Sequence, residues 1–303
     1  MSDVTDLDRK AARERAEELH QQGLEADEAG YSDRALALYM QALELDFTRA
    51  NTHYNIGLIA KYRNDWEMSR RFNKRAAELA PDDEASNWNL AIAATALRDW
   101  PTARWAWAQA GVRVGEGEGP IEGRFGTACV RLNPDDEPEV VWAQRICPVR
   151  ARITNIPFPE SGFAYGDVVL HDGAATGRRT HGEREYPVFN VLEAFEDSPF
   201  STFCADLAIE SDEDIQGLRE MCEAASVHFE DWTYSVRWLC RGCSEGVAHA
   251  EHERVEDPEW RHRRRVAFAA IEEAEVRHVL EQWQGEVRRV ETFDCALSPD
   301  DGE

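Results

Sequence analysis

The segment Cys240-Arg-Gly-Cys243-Ser-Glu-Gly-Val-Ala-His249-Ala-Glu-His252 places two thiols and two imidazoles within thirteen residues. A cysteine pair separated by two residues and followed by Gly246 suits a knuckle that aims both thiolates at one ion, and His249 and His252 complete a tetrahedron. The metal expected there is a single structural zinc. Four protein ligands leave no coordination position for water, so such a site holds the fold and hydrolyses nothing. If only Cys240 and Cys243 coordinate, the remaining ligands come from Cys204, Cys222, His171 or His181.

A second group of chemically capable residues surrounds His171 and His181, which flank Asp172, Arg178 and Arg179 with Glu183 just beyond. General acid-base catalysis needs such groups to converge in a pocket; here they read as a solvated turn. The chain has no G-x-S-x-G, no G-x4-G-K-[ST], no G-x-G-x2-G and no H-E-x2-H, and Gly115-Glu-Gly-Glu-Gly119 is too acidic to cradle phosphate. No catalytic residue is assigned.

The elements that carry these residues follow from composition and period. At 303 residues with 43% hydrophobic content, the chain can fill two cores. A formal net charge of -25 opposes binding to nucleic acid or anionic membrane and would attract a basic partner. Met1 to Leu19 lacks the apolar run of a signal peptide or membrane span, and seven scattered cysteines suit a reducing compartment, so a cytoplasmic protein is expected.

Residues 16–111 repeat with a period of 34. Gly23, Gly57 and Ala91 occupy equivalent places, as do Ala35, Ser69 and Ala103; Tyr39, Asn73 and Trp107; Ala42, Ala76 and Ala110; and Trp66 and Trp100. Small residues at such spacing let helices approach closely, and large ones fill the gaps beside them. The pattern resembles the tetratricopeptide repeat (TPR) family, which implies three helix-turn-helix hairpins stacked as a solenoid.

The resemblance also implies a concave peptide-binding groove lined by the first helix of each hairpin. In the second repeat the groove residues are Asn51, Tyr54, Asn55, Leu58, Lys61 and Tyr62; in the third they include Ala85, Trp88, Asn89, Ile92 and Thr95; in the first, Glu17, His20, Gln21, Leu24, Asp27 and Glu28. An aromatic beside an amide, as in Tyr54-Asn55 and Trp88-Asn89, can cover an apolar side chain while the amide bonds an extended backbone. Family members that hold chaperone C-terminal carboxylates use basic residues where this chain has Ala85 and Asn89.

The expected organisation is a charged lead-in over 1–15, the TPR array over 16–111, a Gly-rich linker over 112–120, a mixed α+β domain with antiparallel sheet over 121–296, and an acidic tail over 297–303. Strands are expected around Val140-Val-Trp, Val149 to Ile156, Gly166 to His171 with a turn at Asp172-Gly173, Tyr186 to Leu192, and Trp232 to Leu239. Ser211 and Asp214 mark a helix running to about Ala225, and Arg263 to Gln284 reads as a long terminal helix. The function expected is a noncatalytic adaptor or scaffold that binds a protein or peptide. The alternatives are an immunity- or antitoxin-like inhibitor of a basic toxin or nuclease, and a metal-dependent enzyme with its site in the second domain.

Overall fold

The turn residues of the first 111 positions already define hairpins. Gly30, Asn64 and Arg98, each thirty-four apart, all adopt left-handed backbone (φ 81°, 55° and 57°), the conformation that ends one helix and reverses the chain into the next. Asp65, Asp83 and Asp99 then cap the following helices, their carboxylates accepting from the amides of Met68, Ser86 and Thr102 at 3.0, 3.0 and 3.3 Å. In the computed structural model, which describes residues 2–233 and 262–299 and side chains from residue 7, these signals delimit α1 (Ser2–Glu28), α2 (Ser32–Leu45), α3 (Ala50–Tyr62), α4 (Trp66–Leu79), α5 (Glu84–Ala96) and α6 (Trp100–Gln109). The first helix thus extends back through the charged lead-in.

The helices pair as α1/α2, α3/α4 and α5/α6, and the small residues sit where the members of each pair touch. A Cβ built on Gly23 would lie 2.5 Å from Tyr39 Cε1, and one on Gly57 would overlap the Asn73 amide. Trp107, fully buried, occupies the matching place opposite Ala91 and meets Trp88 edge-on at 4.7 Å between ring centroids. Residues beyond α6 fold back: Arg104 donates to the carbonyls of Gly115, Gly119 and Pro120 at 2.9, 2.6 and 3.2 Å. The chain divides into one unit over Met1–Gly123 and a second over Arg124–Glu303.

The second unit is β-rich. Strands β1 (Thr127–Leu132), β2 (Glu139–Arg145), β3 (Arg150–Ile153), β4 (Val168–His181) and β5 (Arg184–Glu196) close into a barrel in sequence order. Five is odd, so the first and last strands of this meander point the same way and β1 meets β5 in parallel, Cys129 opposite Val188. Val130, Leu132, Val141, Ala143, Ile153, Val169 and Val191 form one of its apolar clusters. The rest, β6 (Ser201–Ala208), α7 (Asp212–Ala224), β7 (His228–Asp231), β8 (Arg263–Ala270), α8 (Glu273–Trp283) and β9 (Arg289–Leu297), forms a four-stranded antiparallel sheet ordered β7-β8-β6-β9. Among the described residues these elements run in the βαββαβ order of a ferredoxin-like split motif. Phe203, Ala205 and Leu207 on β6 pack with Leu218, Val279 and Trp283 of the helices, while Cys204, Ala267 and Ala269 pack with Ile156 and Trp232.

The architecture is therefore α+β, helical repeats followed by a domain with antiparallel sheet. The Ser211–Asp214 capping box forms as expected. Three expectations are corrected. Asp172-Gly173 makes no turn: β4 runs through it to His181, its irregular register absorbed by bulges between Leu170 and Gly177, and the hairpin turns at Gly182 (φ 60°) instead. Arg263 to Ala270 is a strand and not part of a helix, because Val266 to Ala270 is buried on both faces of the sheet and shows no alternation. His171 and Asp172 are buried, at 0% and 6% exposure, not solvated. Of the strand expected from Trp232, all but Trp232 and Thr233 lies outside the described residues; those two are helical, directly after β7.

Candidate functional site

The first helix of each hairpin forms one wall of the array. Helices α1 and α3 are tied by polar contacts: Arg49 Nη2 lies 2.6 Å from Glu17 Oε2, and His20 meets Asn51 Nδ2 at 3.2 Å and Thr52 Oγ1 at 3.0 Å. Asn51 Nδ2 can only donate, so His20 Nε2 accepts and Nδ1–H donates to Thr52 Oγ1. Burial holds the His20 ring below its ordinary pKa, with Arg49 acting the same way and Glu17 opposing.

Along that wall, Asn51 and Tyr62 are exposed; Tyr54, Asn55, Leu58 and Trp88 are half-buried; Lys61, Asn89 and Ile92 are buried. Lys61 Nζ stands 4.3 Å from the centroid of the Tyr62 ring. Asn55 Nδ2 donates to the Tyr39 hydroxyl at 3.4 Å, a long contact, and nothing among the described residues donates to its carbonyl oxygen. Asn89, thirty-four residues on and only 6% exposed, forms no hydrogen bond through its side chain among the described residues. Two amides thirty-four residues apart therefore keep hydrogen-bonding capacity on this wall, Asn55 held by one long contact and Asn89 by none among the described residues. Ala85 is exposed at the start of α5 and supplies no charge.

The zinc ligands expected at Cys240, Cys243, His249 and His252 lie outside the described residues. The alternative ligands are not brought together: Cys204 and Cys222 belong to two different apolar clusters, His171 stacks on Phe189 at 4.7 Å, and His181 meets the edge of Trp142 at 5.7 Å. Among the described residues no group of three His, Cys, Asp or Glu side chains is arranged to hold a metal ion. The five described cysteines are free thiols, four of them buried.

One convergence in the second unit had no sequence signal. Glu139 at the start of β2 and Glu230 on β7 reach the same loop from two sheets, Glu139 accepting from Phe158 N (3.1 and 3.3 Å) and Glu230 from Ile156 N (2.8 Å). Trp232 Nε1 donates to Ile156 O at 3.2 Å and completes the clamp. Burial pushes the Glu139 carboxyl up to about 7, against the Phe158 amide and with Glu230 and Glu160 adding to the rise. The two carboxylates spend themselves on backbone amides, so the arrangement fastens barrel to sheet within this unit.

No family model and no curated protein matches this sequence. Among solved structures, "Second TPR of Spaghetti (RPAP3) bound to HSP90 peptide SRMEEVD" aligns at 14% identity with a TM-score of 0.34, over 36% of this chain and 96% of that one. The Arabidopsis OM64 TPR domain aligns at 15% identity and a TM-score of 0.31, over 33% of this chain and 82% of that one. "First TPR of Spaghetti (RPAP3) bound to HSP90 peptide SRMEEVD" gives 15% and 0.31, over 32% of this chain and 78% of that one. The period, the helix pairing and the Gly23–Tyr39 approach make the first unit an array of three helical hairpins, the arrangement that the TPR resemblance implies.

Proposed function

We propose that the protein is a noncatalytic adaptor that binds an extended polypeptide along the wall formed by α1, α3 and α5. The observation that carries this reading is the pair of amides thirty-four residues apart, Asn55 held only by a long contact to Tyr39 and Asn89 by no hydrogen bond among the described residues. An extended backbone offers alternating N–H and C=O groups, and a side-chain amide can pair with both. Asn51, Tyr54, Leu58, Lys61, Tyr62, Trp88 and Ile92 complete the surface, the aromatics covering the ligand's side chains. With Ala85 and Asn89 where a carboxylate would need cations, the wall favours an internal peptide segment over a free acidic C-terminus, and the overall charge of -25 favours a basic partner.

The test is capture of partners by the full chain and by an Asn55→Ala, Asn89→Ala double variant, each first checked for an unchanged melting temperature. The expected result is loss of the partners that the wild type retains. Identical partner sets would remove the wall from the function. Zinc at Cys240, Cys243, His249 and His252 is proposed as a structural ion, tested by metal analysis of the purified protein against a Cys240→Ser, Cys243→Ser variant; equal zinc content in the two would discard it.

A further inference from the structure

The second helices of the hairpins carry a pocket that the adaptor reading does not use. It has a volume of about 400 Å³ and lies between α2 and α4, with Met40, Leu43, Phe47 and Phe72 as its apolar surface. Met40 and Phe47 are 39% and 58% exposed, so the pocket opens to solvent through an apolar rim. Phe47 stands at the end of the first repeat where the second has Pro81.

Three polar features border this pocket. His53 is 1% exposed; its Nε2 donates to Phe47 O at 3.0 Å, so in the neutral ring Nδ1 is a lone pair, and it has no partner. Burial lowers the pKa of this ring, with Arg75 acting the same way, and keeps it neutral. Arg75 stacks over Phe47 at 5.3 Å and pairs with Glu78 at 3.1 Å, yet its Nε–H is buried without an acceptor. Arg71 lies over Phe72 at 4.6 Å and makes no ion pair among the described residues. Lys74, one turn along the same helix, borders an adjoining hollow that Arg71 also lines.

A ligand that fits must supply a bulky apolar group for the floor and negative charge for Arg71 and Lys74. A fatty or aromatic acid offers a single negative charge for Arg71 and Lys74, and Glu44 on the α2 rim leaves the α4 side to the ligand's carboxylates. From this complementarity we infer that the pocket between α2 and α4 docks a linear acidic peptide of a partner protein, one apolar side chain seated between Phe47 and Phe72 and its flanking carboxylates against Arg71 and Lys74. The chain then joins two partners of opposite charge, the acidic one through its second helices and the other through its first.

The test uses the full chain and a fluorescein-labelled peptide, Asp-Glu-Asp-Glu-Phe-Glu-Asp-Glu-Asp, beside the same peptide with Ala in place of Phe, followed by anisotropy. The expected result is saturable binding of the Phe peptide, about tenfold tighter than the Ala peptide, and about tenfold weaker in Arg71→Glu. Met40→Glu, at another exposed rim position, weakens binding comparably and guards against misfolding of the first variant. The Asn55→Ala, Asn89→Ala double variant binds the peptide as the wild type does, which separates this site from the proposed wall. Absence of saturable binding, equal affinity for the two peptides, or indifference to both charge variants overturns the inference.

Discussion

Gly23 and Tyr39 are in contact through a space that admits no side chain: a Cβ on Gly23 would lie 2.5 Å from Cε1 and 2.7 Å from Cδ1 of the Tyr39 ring. Tyr39 is fully buried, so its ring has no open space into which to swing and relieve a clash. Gly23→Ala would ordinarily stabilise a helix by about 1 kcal/mol. Here overpacking outweighs that gain, and we expect a net loss of about 1 to 2 kcal/mol on thermal unfolding. An unchanged or raised melting temperature would show that the hairpin pairs less closely than described.

The Glu139 clamp makes the second unit sensitive to alkali. Its folded carboxyl titrates near 7, above the ordinary 4.5, so its contribution is complete below pH 4.5 and is lost as pH rises through 7. Glu139→Gln keeps the acceptor for Phe158 N and removes the charge. Relative to this variant the wild type should lose about 2 kcal/mol between pH 5 and 8, less than the full shift because the carboxyl is only half-buried. Parallel stability curves for the two proteins would refute it.

His171 acts with the opposite sign. Burial lowers its pKa from 6.5 to about 4, with Arg145 adding to the fall and Nδ1–H bonded to Asp172 O at 2.7 Å, while Nε2 lacks a partner. The unfolded chain takes up the proton first, so stability is full above pH 6.5 and declines below it, by about 3 kcal/mol on reaching pH 4. His171→Phe retains the stack on Phe189 and should flatten this acid limb in urea unfolding; an unaltered limb would place its cause elsewhere, His20 and His53 being next.

Trp283 of α8 is fully buried and donates through Nε1 to Asp214 O at 2.9 Å, tying the two helices of the sheet together. Trp283→Ala should cost about 3 to 5 kcal/mol. Trp283→Phe should recover most of that but leave one carbonyl unbonded, about 1 kcal/mol short of wild type. If both variants unfold at the wild-type urea midpoint, this contact does not hold the layer.

The features legible in the sequence were those with a local signal. The 34-residue period gave the helices because each hairpin repeats the same small-large contact, and Ser211 with Asp214 gave the start of α7 because a capping box is complete within four residues. The second unit was harder for a definite reason. Both β6 and β8 are covered on both faces, so Val266 to Ala270 reads as an unbroken apolar run that suits either period. Asp172-Gly173 carries a turn signal but lies in a bulged stretch of β4, because bulges and turns favour the same residues. Repeat spacing places Tyr54 and Asn89 on the first helices of their hairpins, but it carries no sign that Lys61 and Ile92 are buried. Glu139 and Glu230, ninety-one residues apart, carry no pattern at all, and neither does the meeting of Phe47, His53 and Arg75.

The parallel seam between β1 and β5 has a kinetic corollary. Cys129 must await Val188, and every other junction of the barrel can zip from a neighbouring stretch of chain while this one cannot. During synthesis β1 therefore waits with one flank bare until some sixty further residues have been added, a sticky interval in which a nascent molecule is most open to capture by a wrong strand.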